Sequence, residues 1–115
     1  MHELSIVLSI IDEIGDESVA RGLHGVEVVH LKVGAFAGVD RGALLFAWEL
    51  ACEGTPLEGS RLEIETVPLV IHCAECGQDC TPPSVYQIFC PVCETPAETI
   101  VSGRELEVVS LEVAA

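Results

Sequence analysis

The chain reads as an α+β protein: two helices on a three-stranded sheet, with a small cysteine-rich lobe inserted before the last strand. Three observations carry this reading. Apolar residues recur at helical spacing in two segments, and alternate with charged or polar ones at strand spacing in three others. Two Cys-x-x-Cys units fall between the second and third of those strands.

Leu4, Val7, Leu8, Ile11 and Ile14 follow the i, i+3, i+4 pattern of an amphipathic helix over residues 4–21, with Gly22 as its stop. Val26 to Val33 is rich in β-branched residues and alternates through Val26, Val28, Leu31 and Val33, which predicts the first strand. Gly34 and Gly38 break it. Asp40 then suits the N-cap of a second helix running to about Cys52, with Leu44, Leu45 and Trp48 turned inward. Leu62, Ile64 and Thr66 alternate with Glu63 and Glu65, giving a second strand with one wet face that Pro68 ends or bends. Residues 70–100 lose periodicity among cysteines, prolines and glycine. The alternation resumes over residues 105–113 as a third strand. That strand must return to the first sheet, so the inserted lobe is tethered at both ends.

Half of the 115 residues are apolar but only 4% are aromatic, so the core is aliphatic. Nineteen acidic against five basic side chains give a formal charge of −14. Such a surface repels phosphate backbones, whose binding needs Lys and Arg to displace counterions, and nucleic acid is excluded as an expected partner. The acidity reads as a solvated surface, with docking of a basic partner as the alternative. No run approaches the roughly 20 apolar residues that span a bilayer, and no basic segment precedes an apolar one at the start. No membrane association is therefore expected, and a reducing cytoplasm suits the paired cysteines.

Cys73-Ala-Glu-Cys76-Gly77 and Cys90-Pro-Val-Cys93 stand thirteen residues apart. Two residues between paired cysteines let both sulfurs of a tight turn reach one ion, and Gly77 suits the position just past the turn. Two such turns supply four sulfurs to a tetrahedral ion, which makes the lobe zinc-ribbon-like. A closed site of this kind contributes folding energy rather than chemistry. Iron in the same cage and a pair of disulfides are the rival readings. Cys52, on the apolar stripe of the second helix, reads as a buried thiol. Cys80 lies close enough in sequence to sit beside the cage without being a ligand, and His72 adjoins Cys73.

The chain opens Met1-His2-Glu3 directly before its first helix. A free terminal amine, the following backbone amides and the His2 imidazole can lie in one plane around a divalent ion. Planar nitrogen donation favours Ni(II) or Cu(II) over zinc. A terminal histidine without any metal role is the plain alternative.

Several segments, in the right order along essentially the whole chain, resemble the HypA/HybF family of hydrogenase nickel-insertion proteins. They are Met1-His2-Glu3-Leu4-Ser5, Gly54-Thr55-Pro56-Leu57-Glu58-Gly59-Ser60 with Leu62-Glu63-Ile64, the two cysteine units, and Ser102-Gly103-Arg104-Glu105-Leu106 with Ser110-Leu111-Glu112-Val113. The resemblance implies a nickel metallochaperone that binds Ni(II) at Met1, His2 and Glu3 and carries a separate structural zinc on Cys73, Cys76, Cys90 and Cys93. His2 would be the main nickel ligand, through its imidazole and amide. Glu3 would add its amide or a supporting carboxylate. The implied partners are a nickel-handling maturation GTPase and the hydrogenase large subunit, with urease a further recipient in some organisms; a homodimer stays open. Asp40 stands in the loop where some relatives carry an acidic residue near nickel, beside its plain reading as a helix cap. Ala35-Phe36-Ala37 before Gly38 is unusual for the family. Glu94 stands where some relatives have histidine, which puts in doubt a histidine-tuned response of the zinc site to pH.

The expected division is a nickel-binding α+β domain, residues 1–69 plus 101–115, and a zinc-binding domain, residues 70–100. No nucleophile–base constellation suggests an enzyme, and a closed zinc cage has no vacant position for water. The alternative function is a small structural-zinc adaptor that docks a protein partner and has no nickel role.

Overall fold

The computed structural model describes residues 2–21 and 25–114, excluding the side chains of residues 18–21. The element order is α1 (His2–Arg21), β1 (Val26–Gly34), α2 (Arg41–Ala51), β2 (Arg61–Val67), β3 (Val70–Cys73), β4 (Gln78–Cys80), β5 (Thr99–Ser102) and β6 (Leu106–Val113). The α+β expectation holds, with two helices and a sheet ordered β2-β1-β6. A second sheet, ordered β4-β3-β5, occupies the cysteine-rich insertion. By contacts the chain separates into two units. One comprises Met1–Leu31, Val39–Glu65 and Glu107–Ala115; the other comprises Lys32–Gly38 and Thr66–Leu106. The second unit thus holds, with the cysteine-rich insertion, the end of β1 and the loop after it.

In the first unit, Val7, Ile10 and Ile14 are the buried residues of α1. Leu8, expected inward, is half exposed, and Ile10 takes the place on the stripe that helical geometry assigns three residues after Val7. The expected stop at Gly22 lies outside the described residues. α2 packs on α1 and buries Leu44, Ala47 and Trp48, while Leu45 is half-buried. Asp40 is its N-cap, with extended backbone and a carboxylate that accepts from the Ala43 N–H at 2.8 Å. That bond satisfies one of the N–H groups left without a partner at a helix start. The Trp48 indole N–H donates to the Ser60 hydroxyl at 3.1 Å, joining α2 to the turn before β2.

β1 is the central strand, so Val28 and Val29 are both buried and the alternation expected there is only partial. β6 pairs with it antiparallel: the Gly34 N–H donates to the Glu105 carbonyl, and the Ala114 N–H donates to the Gly25 carbonyl. β2 ends at Val67, one residue before Pro68, which has no N–H for a ladder.

In the second unit, β3 pairs antiparallel with β4 through Ile71↔Cys80, His72↔Asp79 and Cys73↔Gln78. It also pairs antiparallel with β5 through Val70↔Ser102, Ile71↔Ile100 and His72↔Thr99. Three stretches of chain meet in this unit. The Ala35 N–H donates to the Val67 carbonyl at 2.8 Å, and the Phe36 N–H to the Gly103 carbonyl at 2.7 Å. A Cβ on Gly34 would run into the Gly103 carbonyl, and one on Gly103 would lie 2.7 Å from the Leu69 Cα. Gly103 also has φ of 113°, open in practice to glycine alone. The Arg104 guanidinium lies 5.7 Å from the centroid of the Phe36 ring, which gives the unusual Ala35-Phe36-Ala37 segment a local partner.

Candidate metal sites

The cage is built from two turns of the same geometry. In the first, the Gly77 N–H donates to the Cys73 carbonyl at 2.8 Å and Gly77 has φ of 67°. In the second, the Glu94 N–H donates to the Cys90 carbonyl at 2.8 Å and Glu94 has φ of 61°. Each turn therefore needs a left-handed residue just past its second cysteine. The first turn meets that need with glycine, the second with a strained glutamate.

The sulfurs of Cys73, Cys76, Cys90 and Cys93 all lie within 4.8 Å of one another. The edges are 3.4 Å for Cys73–Cys93, 3.6 Å for Cys76–Cys93 and 4.0 Å for Cys76–Cys90. A zinc ion with Zn–S bonds of about 2.3 Å requires edges of about 3.8 Å. A disulfide requires about 2.05 Å. The cage fits a tetrahedral metal and not two disulfides. Cys73 and Cys90 are buried while Cys76 and Cys93 are exposed, so the site is half sunk in the lobe.

The thiols differ in how readily they ionise. The backbone N–H groups of Cys93 and Val92 face the Cys90 sulfur and bring its pKa down to about 6. The Thr95 hydroxyl, 3.1 Å from the Cys93 sulfur, lowers that thiol as well. Cys76, crowded by the sulfurs of Cys93 and Cys73, is pushed up to about 12. At Cys73 the Cys76 N–H lowers the pKa, but burial and the sulfurs of Cys93 and Cys90 outweigh it and the net shift is upward. The second turn is thus charged first, and a cation must displace protons from the first.

His72 is not in the cage; its Nδ1 pairs with the Asp79 carboxylate at 2.8 Å across β3 and β4. Cys80 is half-buried at the end of β4 and lines a pocket with Cys73, Cys76 and Cys90. Cys52 is buried, and burial pushes its thiol up.

At the start of the chain, α1 begins at His2, two residues earlier than expected. The His2 side chain is 61% exposed, with Nδ1 3.8 Å from the Glu3 carboxylate. Glu3 reaches across to α2, where its Oε2 accepts from the Asp40 N–H at 3.2 Å. That N–H and Glu3's own hold the carboxyl below its ordinary range. No periodicity in the sequence signals this tie; only the pairing of α1 with α2 brings the two residues together. Met1 lies outside the described residues.

The profile of a family described as "Hydrogenase/urease nickel incorporation, metallochaperone, hypA" matches residues 1–113. Among relatives, the "Hydrogenase maturation factor HypA" of Chloroflexus aurantiacus is 45% identical, over 97% of this chain and 98% of its own. The protein of that name from Roseiflexus sp. is 47% identical, over 97% of this chain and 91% of its own. In fold, the chain is similar to the solution structure of the Ni metallochaperone HypA from Helicobacter pylori, at 24% identity and a TM-score of 0.69, covering 98% of this chain and 97% of the other. The match over nearly the full length, at these identities, establishes membership: the chain belongs to the HypA family of nickel-incorporating metallochaperones and hydrogenase maturation factors.

Proposed function

We propose that this chain binds Ni(II) at Met1, His2 and Glu3 and delivers it for maturation of a nickel–iron hydrogenase, with urease as a further recipient. The observation that carries the reading is the exposed His2 side chain at the first position of α1. The first four N–H groups of a helix have no intrahelical acceptor, so the amide nitrogens of His2 and Glu3 can lose their protons to a metal without breaking a helical hydrogen bond. The imidazole and amide of one residue close a six-membered chelate ring. The terminal amine and adjacent amides close five-membered ones. Nitrogen donors in a plane suit Ni(II).

Glu3 has a second task in this reading. Its carboxylate, bound to the Asp40 N–H, anchors the start of α1 beside the α2 cap, so that only the first residues move when nickel is exchanged. A site at the open end of a chain suits a carrier, because its ligands can be replaced one at a time by those of a recipient. The recipients proposed are a nickel-handling GTPase and the hydrogenase large subunit, in a reducing cytoplasm. The zinc in the cysteine cage stays in place and braces the lobe that holds it. The family is one of metal incorporation and maturation rather than catalysis.

The reading is tested by acetylating the Met1 amine, which removes it as a donor while leaving every side chain in place. Calorimetric titration with Ni(II) should show a marked loss of affinity. Unchanged affinity would place nickel elsewhere and favour the zinc-adaptor alternative.

A further inference from the structure

β6 is an edge strand. In the sheet ordered β2-β1-β6 it pairs with β1 on one side, and among the described residues no strand lies on its other side. It runs for 8 residues, longer than a common strand of about five or six. Such edges are ordinarily guarded by Lys, Pro or a bulge, because their spare N–H and C=O groups recruit other chains. β6 contains no Lys, Arg or Pro, and its only charges are Glu107 and Glu112. It leaves Val109 47% and Val113 42% exposed.

A groove of about 420 Å³, lined by β6 and α1, runs beside this strand. Val108, Val109, Ser110 and Leu111 line it in unbroken succession. Successive side chains of a strand point to opposite faces, so a groove that touches all four borders the backbone edge rather than one face of the sheet. From α1 come the buried Ile14 and the exposed Glu13 and Glu17, and no basic side chain lines the groove. An occupant meets main-chain hydrogen-bonding groups, an aliphatic floor and negative charge. Charge then selects the occupant. A second copy brings another −14 and its own acidic edge, and the two repel. Nucleic acid is refused on the same ground. An extended peptide in which aliphatic residues alternate with Lys or Arg fits all three features.

We propose that the groove between α1 and the edge of β6 takes an extended basic segment of a partner protein, which adds a strand to the sheet and sets Lys or Arg beside Glu13 and Glu17. The inference is independent of the nickel site and of the zinc cage.

The test uses the zinc-loaded protein and a fluorescein-labelled peptide, as long as β6, in which valine and lysine alternate. Fluorescence anisotropy at physiological ionic strength should show binding, and hydrogen exchange should slow at the amides of residues 106–113 in the complex. Glu13→Lys and Val109→Lys, both at exposed positions, should each weaken binding by about tenfold, whereas Glu53→Lys, outside the groove, should change it little. A peptide of equal charge with proline in place of valine cannot join a sheet and should not bind. Equal binding of the proline peptide, equal loss in all three variants, or binding that leaves β6 exchange unchanged would mean attraction to a charged surface alone and would overturn the proposal. So would an absence of binding, or sedimentation of the free protein as a dimer whose β6 amides are already protected.

Discussion

The Glu3 carboxylate accepts a hydrogen bond from the Asp40 N–H at 3.2 Å, while the Asp40 carboxylate accepts from Ala43 at 2.8 Å. The start of α1 and the cap of α2 are thereby fastened in series, through one acidic side chain each.

The first bond has a pH signature. Glu3 has a folded pKa below its ordinary value of 4.5, chiefly because the charged form accepts from Asp40. A carboxylate with a depressed folded pKa stabilises the native state fully above its unfolded pKa and loses that contribution as pH falls through the folded one. Glu3→Gln should therefore melt below the wild type at pH 7, and the gap in Tm should close as pH drops below about 4. A gap of constant size across pH 7 to 3 would mean that the carboxylate charge is not what holds Asp40.

Glu94 offers the opposite experiment. A non-glycine residue at φ of 61° carries strain on the order of 1 kcal/mol, and the matching position of the other turn is Gly77. Glu94→Gly should raise the thermal stability of the zinc-loaded protein, by up to about 0.5 kcal/mol once the extra chain entropy of glycine is deducted. Glu94→Val, β-branched and poorly tolerated there, should lower it.

How much of this was legible beforehand depends on the length of pattern available. Two helices, the three long strands, the Asp40 cap and the four cage cysteines announce themselves through periodicity or spacing. β3, β4 and β5 do not, because segments of three or four residues are too short to establish alternation, and β3 and β4 are separated only by the first cysteine turn. Leu8 and Ile10 were exchanged because both fit a helical stripe until the packing partner fixes which face is covered. The Glu3–Asp40 bond spans 37 positions and has no local signal. Gly34 reads as a strand breaker and Gly103 carries no reading of its own, whereas at both positions a Cβ would block another stretch of backbone.

That crossing predicts a large cost for a small change. Gly103→Ala combines a left-handed φ with a Cβ 2.7 Å from the Leu69 Cα, and Gly34→Ala meets the Gly103 carbonyl. Each should destabilise by about 2–4 kcal/mol in chemical denaturation. Gly15→Ala, on α1 with open space around it, should be neutral or stabilising.

Zinc loading should release fewer than four protons at pH 7. Cys90, brought to about 6 by the N–H groups aimed at it, is already a thiolate there, whereas Cys76 at about 12 holds its proton until the metal arrives. Calorimetry in two buffers of different ionisation enthalpy counts the protons, and the count should rise as pH falls below 6. Chelation should unfold the lobe while the α1–α2 helical signal in far-ultraviolet circular dichroism persists.

In the proposed function the metal carried by this chain is held by His2. Wild-type protein and His2→Ala, both tag-free and zinc-loaded, should be titrated with Ni(II) between pH 8 and 5.5. Tight nickel binding by the wild type is expected, weakening as pH falls because protons compete with the metal for its nitrogen donors. His2→Ala should lose that binding while its zinc content and Tm stay unchanged. Equal nickel binding by the two proteins, or a wild-type affinity flat across that pH range, would contradict it.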